Sequence, residues 1–254
     1  MAKAIDEKLD AMRHSCAHVM AQAVMEMFPE AKLAVGPWID SGFYHDFELP
    51  RTLVPEDLPL IEKKMRHIMK QRQKFRRYDL PVDEAIKFLK ERNQTFTAEL
   101  AADLKKEGEK TLSFYENIQL PNGEVKFVNM CAGPHKENTG EIGAFKLTKI
   151  AGAYFRGDSA RPMLQRIYGA CFPTEEELDA YLKQMEEALK RDHKLLGKQL
   201  ELFITDPLVG SGYPLFLPKG AIIKDLLQDY IKEVKKAHDY TFVCIPHVAK
   251  EELY

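Results

Sequence analysis

Two pairs of residues in this 254-residue chain have the chemistry of metal ligands or general bases. His14 and His18 lie four residues apart in "RHSCAHVM", and Cys131 and His135 lie four apart in "CAGPH". Residues i and i+4 of a helix share a face, so the first pair would project together. The Gly-Pro step inside the second pair disfavours a helix. That pair is therefore predicted on a tight loop, which still holds the thiol and the imidazole close together.

Two chemistries are open if these pairs meet. Three imidazoles and a thiol are the N and S ligands of a tetrahedral Zn²⁺ site. Without metal, the same groups would bind water and act as general bases, because imidazole titrates near neutral pH. Either pair alone also occurs in purely structural roles, and the spacing does not require the two pairs to meet.

The composition describes a globular protein, with 45 % apolar and 30 % charged residues. The formal net charge of −2 excludes a globally basic nucleic-acid binder, so any site for a polyanion must be a local patch. No apolar run approaches the roughly 20 residues that span a bilayer, and the N-terminus has no secretion core. The four cysteines are far apart and form no CxxC pair, which favours reduced thiols in a cytoplasmic protein. They are Cys16, Cys131, Cys171 and Cys244.

Helices are predicted to position the histidine pair and to fill the first half of the chain. They cover about residues 6–28, about 55–77, a shorter stretch from Pro81, and "AELAADLKKEG", which Gly108 ends. Between the first two, Asp40-Ser41-Gly42 indicates a hairpin turn.

Strands are predicted around the cysteine loop. "TLSFYENIQL" and "EVKFVNM" flank Asn122-Gly123, a strong hairpin signal, and "GAFKLTKIAGAYF" and "QRIYGACF" are typical of further strands. Helices packed on a mostly antiparallel sheet make this an α+β fold.

The chain is predicted to have three parts. Residues 1–173 form the α+β domain, and 174–200 form a long linker helix that a Thr174–Glu177 capping box begins. Residues 201–254 are interpreted as the opening piece of a second domain whose remainder is missing. In that piece we expect a helix at about 219–238 and a buried strand at "YTFVCIP".

Several segments, in order from about residue 8 to 203, resemble the editing region of threonyl-tRNA synthetases. They are "RHSCAHVMAQAV", "GPWIDSGFYHDFEL", "CAGPH", "KLTKIAGAYFRGDS" and "MLQRIYGACF". "GYPLFLPKGAIIKDLLQDYIKEVKKA" and "VCIPHVAKEELY" resemble the first signature motif of the class II catalytic domain, with a strand that ends at Pro246. The alanyl-type editing family also uses HxxxH and CxxxH. It usually has Gly-Thr-His where this chain has Gly-Pro-His, and it lacks the "AGAYFRGDS" and "MLQRIYG" run.

The resemblance implies a part of an ATP-dependent threonine–tRNA ligase. This part would hydrolyse mischarged seryl-tRNA(Thr), with His14, His18, Cys131 and His135 as catalytic residues. Zinc at these four residues is possible, although we expect no tightly held ion. The motifs that load threonine, with their own ATP and zinc sites, come later in family members, so we expect no aminoacylation from this chain. Full-length members are homodimers; we expect exposed apolar surface after residue 200 and weak or no dimerisation here.

Three further residues match substrate-binding positions of the family. Tyr44 would stack on the terminal adenine or hold the sugar; alternatively it is a core aromatic residue. Asn129 stands where the family usually has an acid, and Thr97 aligns with a position that often holds a lysine. Two alternatives to editing are therefore an inactive tRNA-docking module and a zinc-dependent deacylase of the alanyl type.

A basic stripe is the candidate surface for tRNA. Between Lys63 and Arg77 the chain has no acid and eight basic residues: Lys63, Lys64, Arg66, Lys70, Arg72, Lys74, Arg76 and Arg77. The stripe would neutralise phosphates, or it would be a solvated helix face. Arg156 and Arg161 would likewise hold the acceptor end or pair locally.

Overall fold

A computed structural model of the protein describes residues 7–210 and 212–244. By its internal contacts the chain divides into two compact units, with the boundary between Leu182 and Lys183.

The first unit contains most of the regular structure. Its helices are α1 Glu7–Met27, α2 Asp57–Lys70, α3 Val82–Glu91, α4 Thr95–Lys106 and α5 Glu175–Lys190, the last of which crosses the unit boundary. Its strands are β1 Lys32–Leu33, β2 Trp38–Ile39, β3 Gly42–Glu48, β4 Lys74–Pro81, β5 Thr111–Gln119, β6 Glu124–Met130, β7 Ala144–Tyr154 and β8 Met163–Phe172. Two 3₁₀ turns cover Thr139–Glu141 and Phe155–Gly157.

The strands form two antiparallel sheets. One has the order β1-β3-β8-β7, with β2 added to β3, and the other has the order β4-β5-β6. Every pairing between these strands is antiparallel. The α+β prediction is confirmed, although the strands are divided between two sheets where the sequence had suggested one.

Helix α1 lies at the centre of the larger core. Its apolar residues recur at helical spacing, and Cys16, Val19 and Met20 are fully buried. They belong to the same cluster as Phe43 of β3 and Ile61 of α2. Burial of each large side chain stabilises the fold by about 1.5–3 kcal/mol. The helix that carries both histidines is therefore a rigid support for a site.

Both predicted hairpins are present. Asp40 and Ser41 form the turn between β2 and β3, with Ile39 paired to Gly42. The β5–β6 hairpin turns at residues 120–123, where Gly123 has a φ of +71°. Each turn is specified by local residue preferences, and this explains why the sequence located it.

The prediction of one helix over 55–77 is wrong in its last third. Helix α2 ends at Lys70, and Arg72 turns the chain with a φ of +50°. The backbone of Gln73 is then held by Thr139, whose Oγ1 accepts the Gln73 N–H at 3.0 Å. Residues 74–81 form strand β4 because each of them pairs with a residue of β5.

The second unit contains the end of α5, then α6 His193–Gln199, β9 Phe203–Ile204, β10 Leu215–Phe216 and α7 Pro218–Ala237. The predicted helix at 219–238 is confirmed. The linker prediction is correct at its start, where Thr174 Oγ1 accepts the Glu177 N–H at 3.3 Å. It is wrong further on, because the helix stops at Lys190 and Asp192 caps a new one by accepting the Lys194 N–H at 2.8 Å.

The expected strand at "YTFVCIP" is not formed over its described part. Residues 240–244 are exposed and have no regular secondary structure. Ile245, Pro246 and the segment that follows lie outside the described residues. Within the described ranges, no helix combines the length and the apolar character needed to cross a membrane.

Candidate functional site

The structure brings together three of the four predicted catalytic residues. Cys131 Sγ lies 3.1 Å from His14 Nε2 and 3.2 Å from His135 Nε2. The ligand atoms of these three residues all lie within 4.8 Å of one another. The histidine of α1 and the cysteine loop after β6 therefore form one cluster, which we call the His14–Cys131–His135 cluster.

His18 takes a different place. Its ring lies edge-on to the His135 ring, with centroids 4.8 Å apart, and it packs between Phe75 and Phe127. The side chain is only 3 % exposed, and its Nε2 atom is buried without a hydrogen-bond partner. His18 thus lies outside the ligand set of the cluster, although it lines the cavity beside it.

The cysteine loop is held by backbone geometry that requires glycine. Gly133 has a φ of +72°, and a Cβ atom there would lie 2.4 Å from Tyr115 Oη. The Gly133 N–H donates to Cys131 Sγ at 3.4 Å. On the other side, the Cys131 N–H donates to the Ser113 carbonyl at 3.0 Å, and the Ser113 hydroxyl donates to the Cys131 carbonyl at 2.7 Å. The sulfur is fixed toward the two imidazoles.

Burial sets the protonation states of the cluster. It lowers the pKa of His14, an effect that the carbonyls of Gly133 and Pro134 partly offset. It also lowers the pKa of His135, and the neighbouring rings of His18 and His14 lower it further. Burial raises the pKa of the Cys131 thiol to about 11, although the Gly133 N–H opposes this rise. At neutral pH, without a bound cation, the cluster therefore has two neutral imidazoles and a protonated thiol.

A cavity of about 870 Å³ opens beside the cluster. One wall is a face of the three-stranded sheet. Arg77 and Asn129 both lie opposite Tyr115 on the neighbouring strands, and Asp79 lies opposite Ser113. Residues opposite one another, and residues two apart on a strand, share a face of the sheet. This volume is within the range of pockets that bind nucleotide-sized molecules.

The three predicted substrate-binding residues all line this cavity. The Arg166 guanidinium lies 4.0 Å from the Tyr44 ring centroid, so that ring is already contacted by a cation. Thr97 is buried, and its hydroxyl donates to the Leu33 carbonyl at 3.0 Å. In the described part of the chain, the Asn129 side-chain amide has no hydrogen-bond partner and remains free for a ligand.

The lining also includes Trp38, His45 and Asp79, which the sequence did not single out, and Arg77, which was predicted only as part of the basic stripe. Trp38 is 40 % exposed, and its ring centroid lies 5.8 Å from that of His14. Arg77 and Asp79 form an ion pair at 3.3 Å. Their place in the cavity depends on β4 being a strand, and the helix predicted there hid the alternation that would have indicated it.

The basic stripe is divided between α2 and β4. Lys64 pairs with Glu26 at 2.6 Å, and Arg66 lies 3.8 Å from Glu62 and 4.8 Å from the Phe145 ring centroid.

Other basic candidates differ in whether they are paired. Lys63, Lys70 and Arg72 are exposed and, among residues 7–210 and 212–244, make no ion pair. Arg156 is paired with Asp103, and Arg161 is paired with Glu99 at 2.5 Å.

The cluster has donors that fit zinc. Around a tetrahedral Zn²⁺, with ligand distances of about 2.3 Å for sulfur and 2.0–2.1 Å for nitrogen, the S···N separation is about 3.6 Å. The two separations from Cys131 Sγ are 3.1 and 3.2 Å. His14, Cys131 and His135 would supply three of its ligands.

Comparison with known proteins gives a consistent assignment. Residues 121–168 match the family described as the threonyl and alanyl tRNA synthetase second additional domain. The whole chain is 48 % identical to part of a threonine--tRNA ligase of Dehalococcoides mccartyi, covering 42 % of that protein. With the threonine--tRNA ligase of Acetivibrio thermocellus the identity is 46 %, over 96 % of this chain and 37 % of that protein. With the threonine--tRNA ligase of Clostridium tetani the identity is 45 %, over 98 % of this chain and 37 % of that protein.

The chain spans about two fifths of the length of these relatives. The part that the family match covers includes the cysteine loop of the cluster. Over its full length, then, the chain is similar to one region of threonine--tRNA ligases.

Proposed function

We propose that this chain hydrolyses seryl-tRNA(Thr), the mischarged product of a threonine–tRNA ligase. The observation that carries the proposal is the His14–Cys131–His135 cluster at the wall of a nucleotide-sized cavity. Serine lacks one methyl group of threonine, and such a difference provides only about 1–3 kcal/mol of discrimination during loading. A second site that hydrolyses the smaller product would supply the missing accuracy.

The reaction is the attack of water on the ester that joins serine to the 3′ end of the tRNA. The neutral imidazole of His14, which lines the cavity, would hold this water and accept its proton, alone or with a hydroxyl of the terminal ribose. His135 would hold the Cys131 side chain through its Nε2 atom. The Cys131 thiol is protonated and would donate a hydrogen bond to the developing oxyanion. The ribose oxygen leaves with a proton, and free serine is released. His18 would act by holding the His135 ring in place.

Recognition of the substrate would fall to the cavity walls. The free amide of Asn129 would bind the seryl hydroxyl or amine, since an amide both donates and accepts. The Tyr44 ring or hydroxyl would contact the terminal nucleoside. The Thr97 hydroxyl already donates its proton to the Leu33 carbonyl. It would therefore offer the substrate only a hydrogen-bond acceptor, or help to shape the cavity wall.

Contacts with the rest of the tRNA(Thr) would be made by the basic stripe. Lys63, Lys70 and Arg72 would bind phosphates directly. The side chains of Lys64, Arg66 and Arg156 would first have to leave their carboxylate partners. Binding would weaken steeply with added salt.

The editing module would serve a larger enzyme. We propose that the chain works within a cytoplasmic, homodimeric ligase that uses ATP, and a further zinc site, to load threonine. The similarity of the whole chain to threonine--tRNA ligases supports this proposal.

Deacylation assays test the proposed function. The chain should release serine from seryl-tRNA(Thr) faster than spontaneous hydrolysis and should spare threonyl-tRNA(Thr), with alanyl-tRNA as a further substrate for comparison. His14→Ala and Cys131→Ala should abolish release. His193→Ala changes an exposed histidine of α6, outside the cavity and the basic stripe, and should leave the rate unchanged. Binding without release by the unchanged chain would instead identify a tRNA-docking module.

A second candidate is a zinc-dependent deacylase of the alanyl type, which the three converging donors favour. His14, Cys131 and His135 would hold the ion, which when bound would polarise the ester carbonyl and acidify a water molecule. Elemental analysis should then find one zinc per chain, and a chelator should abolish activity. Full activity in metal-free protein would exclude this candidate.

A further inference from the structure

We infer that Ser15 is a positioning residue that fixes the tautomer of His135. Ser15 would keep the ring proton of His135 on Nδ1 and leave the lone pair of Nε2 directed at Cys131. The importance of this for catalysis rests on the proposed function, whereas the tautomer itself can be measured without any substrate.

Ser15 makes three polar contacts in a fully buried position. The Lys136 N–H donates to Ser15 Oγ at 2.9 Å. Ser15 Oγ lies 2.8 Å from the carbonyl oxygen of Ala11, one turn earlier in α1. It also lies 3.2 Å from His135 Nδ1. One hydroxyl thus joins helix α1 to the side chain of His135 and to the backbone N–H of Lys136.

Counting protons assigns a direction to each contact. A hydroxyl has one proton to donate and two lone pairs that accept. A backbone carbonyl only accepts, so the Ser15 proton must point to Ala11. A backbone N–H only donates, so the Lys136 contact occupies one lone pair. The remaining lone pair faces His135 Nδ1, and that atom must therefore be the donor.

The opposite arrangement is disfavoured by the same contacts. If the Ser15 proton turned to Nδ1, the hydroxyl and the Ala11 carbonyl would face each other through lone pairs at 2.8 Å. Ser15 is 0 % exposed, so water would not relieve that contact. A buried acceptor pair without a proton between its atoms is unfavourable.

The tautomer of His135 determines what its other ring nitrogen, Nε2, can do. A neutral imidazole with its proton on Nδ1 has an unprotonated Nε2. That atom lies 3.2 Å from Cys131 Sγ, where it accepts a proton or binds a cation. Partners at the far nitrogen commonly orient a reactive or metal-bound histidine in this way.

Aromatic packing holds the ring independently of Ser15. Phe75 stacks on His135, with centroids 5.0 Å apart and an interplanar angle of 14°. Tyr115 contacts it edge-on, with centroids 4.4 Å apart. Removing the Ser15 hydroxyl should therefore allow the His135 proton to occupy either ring nitrogen, while the plane of the ring stays in place.

The test measures the tautomer by ¹⁵N NMR of protein labelled at histidine, with the His135 signals assigned by their loss in His135→Asn. Unchanged protein should show His135 protonated at Nδ1. In Ser15→Ala we expect a mixture of the two tautomers, whereas Ser15→Thr keeps the hydroxyl and should restore the Nδ1–H form. Ser113→Ala removes a hydroxyl of β5 that contacts the Cys131 carbonyl and makes no contact with His135, so it should leave the His135 tautomer unchanged.

Single-turnover deacylation adds a kinetic readout. Ser15→Ala should lower the rate constant about 10- to 100-fold, the loss that is typical for such orienting partners, at an unchanged half-saturating substrate concentration.

The outcomes separate this inference from the proposed function. Protonation of His135 at Nε2 in the unchanged protein would overturn it, and that measurement decides even if Ser15→Ala fails to fold. Identical tautomers in Ser15→Ala and the unchanged protein would also overturn it. An Nδ1–H tautomer that is lost in Ser15→Ala, in a chain that deacylates nothing, would leave the inference standing and the proposed function refuted.

Discussion

Cys131 differs from a typical catalytic cysteine, because its surroundings keep the thiol protonated. Reactive thiols have a lowered pKa, usually from a nearby positive charge or a helix N-terminus. Here burial raises the pKa to about 11, and both neighbouring imidazoles are neutral. This is the environment of a hydrogen-bond donor or of a ligand that loses its proton to a metal, and not that of a nucleophile.

Alkylation of Cys131 should accordingly be slow at neutral pH. In Cys244→Ser, where the exposed cysteine is removed and Cys16 and Cys171 are buried, iodoacetamide would report on Cys131. The rate should rise about tenfold per pH unit from pH 7 to pH 9 or above, because the thiolate fraction does so below the pKa. A rate that levels off below pH 8 would contradict the raised pKa.

His45 should make the folded protein sensitive to acid. Burial lowers its pKa to about 4 from the ordinary 6.5, although its contact with Asp46 opposes the shift. The unfolded chain therefore binds a proton at higher pH than the folded chain. The stability contributed by neutral His45 is present above pH 6.5 and is lost as the pH falls toward 4, by up to about 3 kcal/mol.

Urea unfolding at pH 7, 5.5 and 4 measures this loss. His45→Gln cannot titrate and should show a flatter dependence of the unfolding free energy on pH. Parallel dependences in the two proteins would assign the acid sensitivity to other groups, such as His18, whose pKa burial also lowers.

At the scale of the elements, predictions that rest on local signals were correct, whereas a strand that forms through long-range pairing was missed. Helix α1 and both hairpins follow from periodicity and turn residues that lie within a few positions of one another. The first half of β4, residues 74–77, was mistaken for the end of a helix because three of its four residues are basic. Their conformation is decided by pairing with β5, as in Lys74 with Ile118. Strand preference depends on such neighbours more than helix preference does.

The same distinction applies to the candidate site. The types and spacing of His14, Cys131 and His135 left open whether they meet, and only the resemblance to the editing region implied one shared site. The separate place of His18 was not predictable, because it depends on packing against Phe75 in the misassigned segment and against Phe127. Asp79 was missed because no strand was predicted between the helices that end at about residue 77 and begin at Pro81.

The cysteine loop should not tolerate a side chain at Gly133. Gly133→Ala would place Cβ 2.4 Å from Tyr115 Oη, so the loop that carries Cys131 or the Tyr115 ring that packs on His135 must shift. Gly123→Ala is a matched control, because Gly123 has nearly the same φ, +71° against +72°, and nothing lies within 4 Å of the position that its Cβ would take. Both variants should lose about 1 kcal/mol to the positive φ.

Only Gly133→Ala should also lose deacylation, by at least about tenfold, since misplacing a reacting group is costly. Thermal melts and seryl-tRNA(Thr) hydrolysis of the two variants make the comparison. Equal activities would show that the loop position is unimportant for the reaction.

At the scale of the whole molecule, we propose that residues 1–173, 174–200 and 201–254 serve as editing domain, linker and the start of a catalytic domain. The second unit is notable for apolar side chains that face solvent, as the sequence led us to expect. Ile222, Leu226 and Tyr230 of α7 are each more than 60 % exposed. Contiguous surfaces of this kind usually mark contacts with other protein.

This surface should cause weak, concentration-dependent self-association. Sedimentation velocity over a range of protein concentrations would detect it, and Leu226→Glu should reduce it without lowering the melting temperature, because the side chain is exposed. Lys232→Glu changes the charge of α7 away from its apolar residues and serves as control. A sharply monomeric protein at every concentration, with amides protected through α7, would contradict this prediction.

Trp38 is the only tryptophan of the 254 residues, and it forms part of the cavity wall beside His14. The intrinsic fluorescence of the protein excited at 295 nm therefore comes from one indole, and that indole lies at the site itself. A nucleoside that enters the cavity or a cation that binds His14 would alter its emission, while events elsewhere would leave the signal largely silent. The chain thus has a built-in optical reporter, which allows occupancy of the site to be titrated without any label.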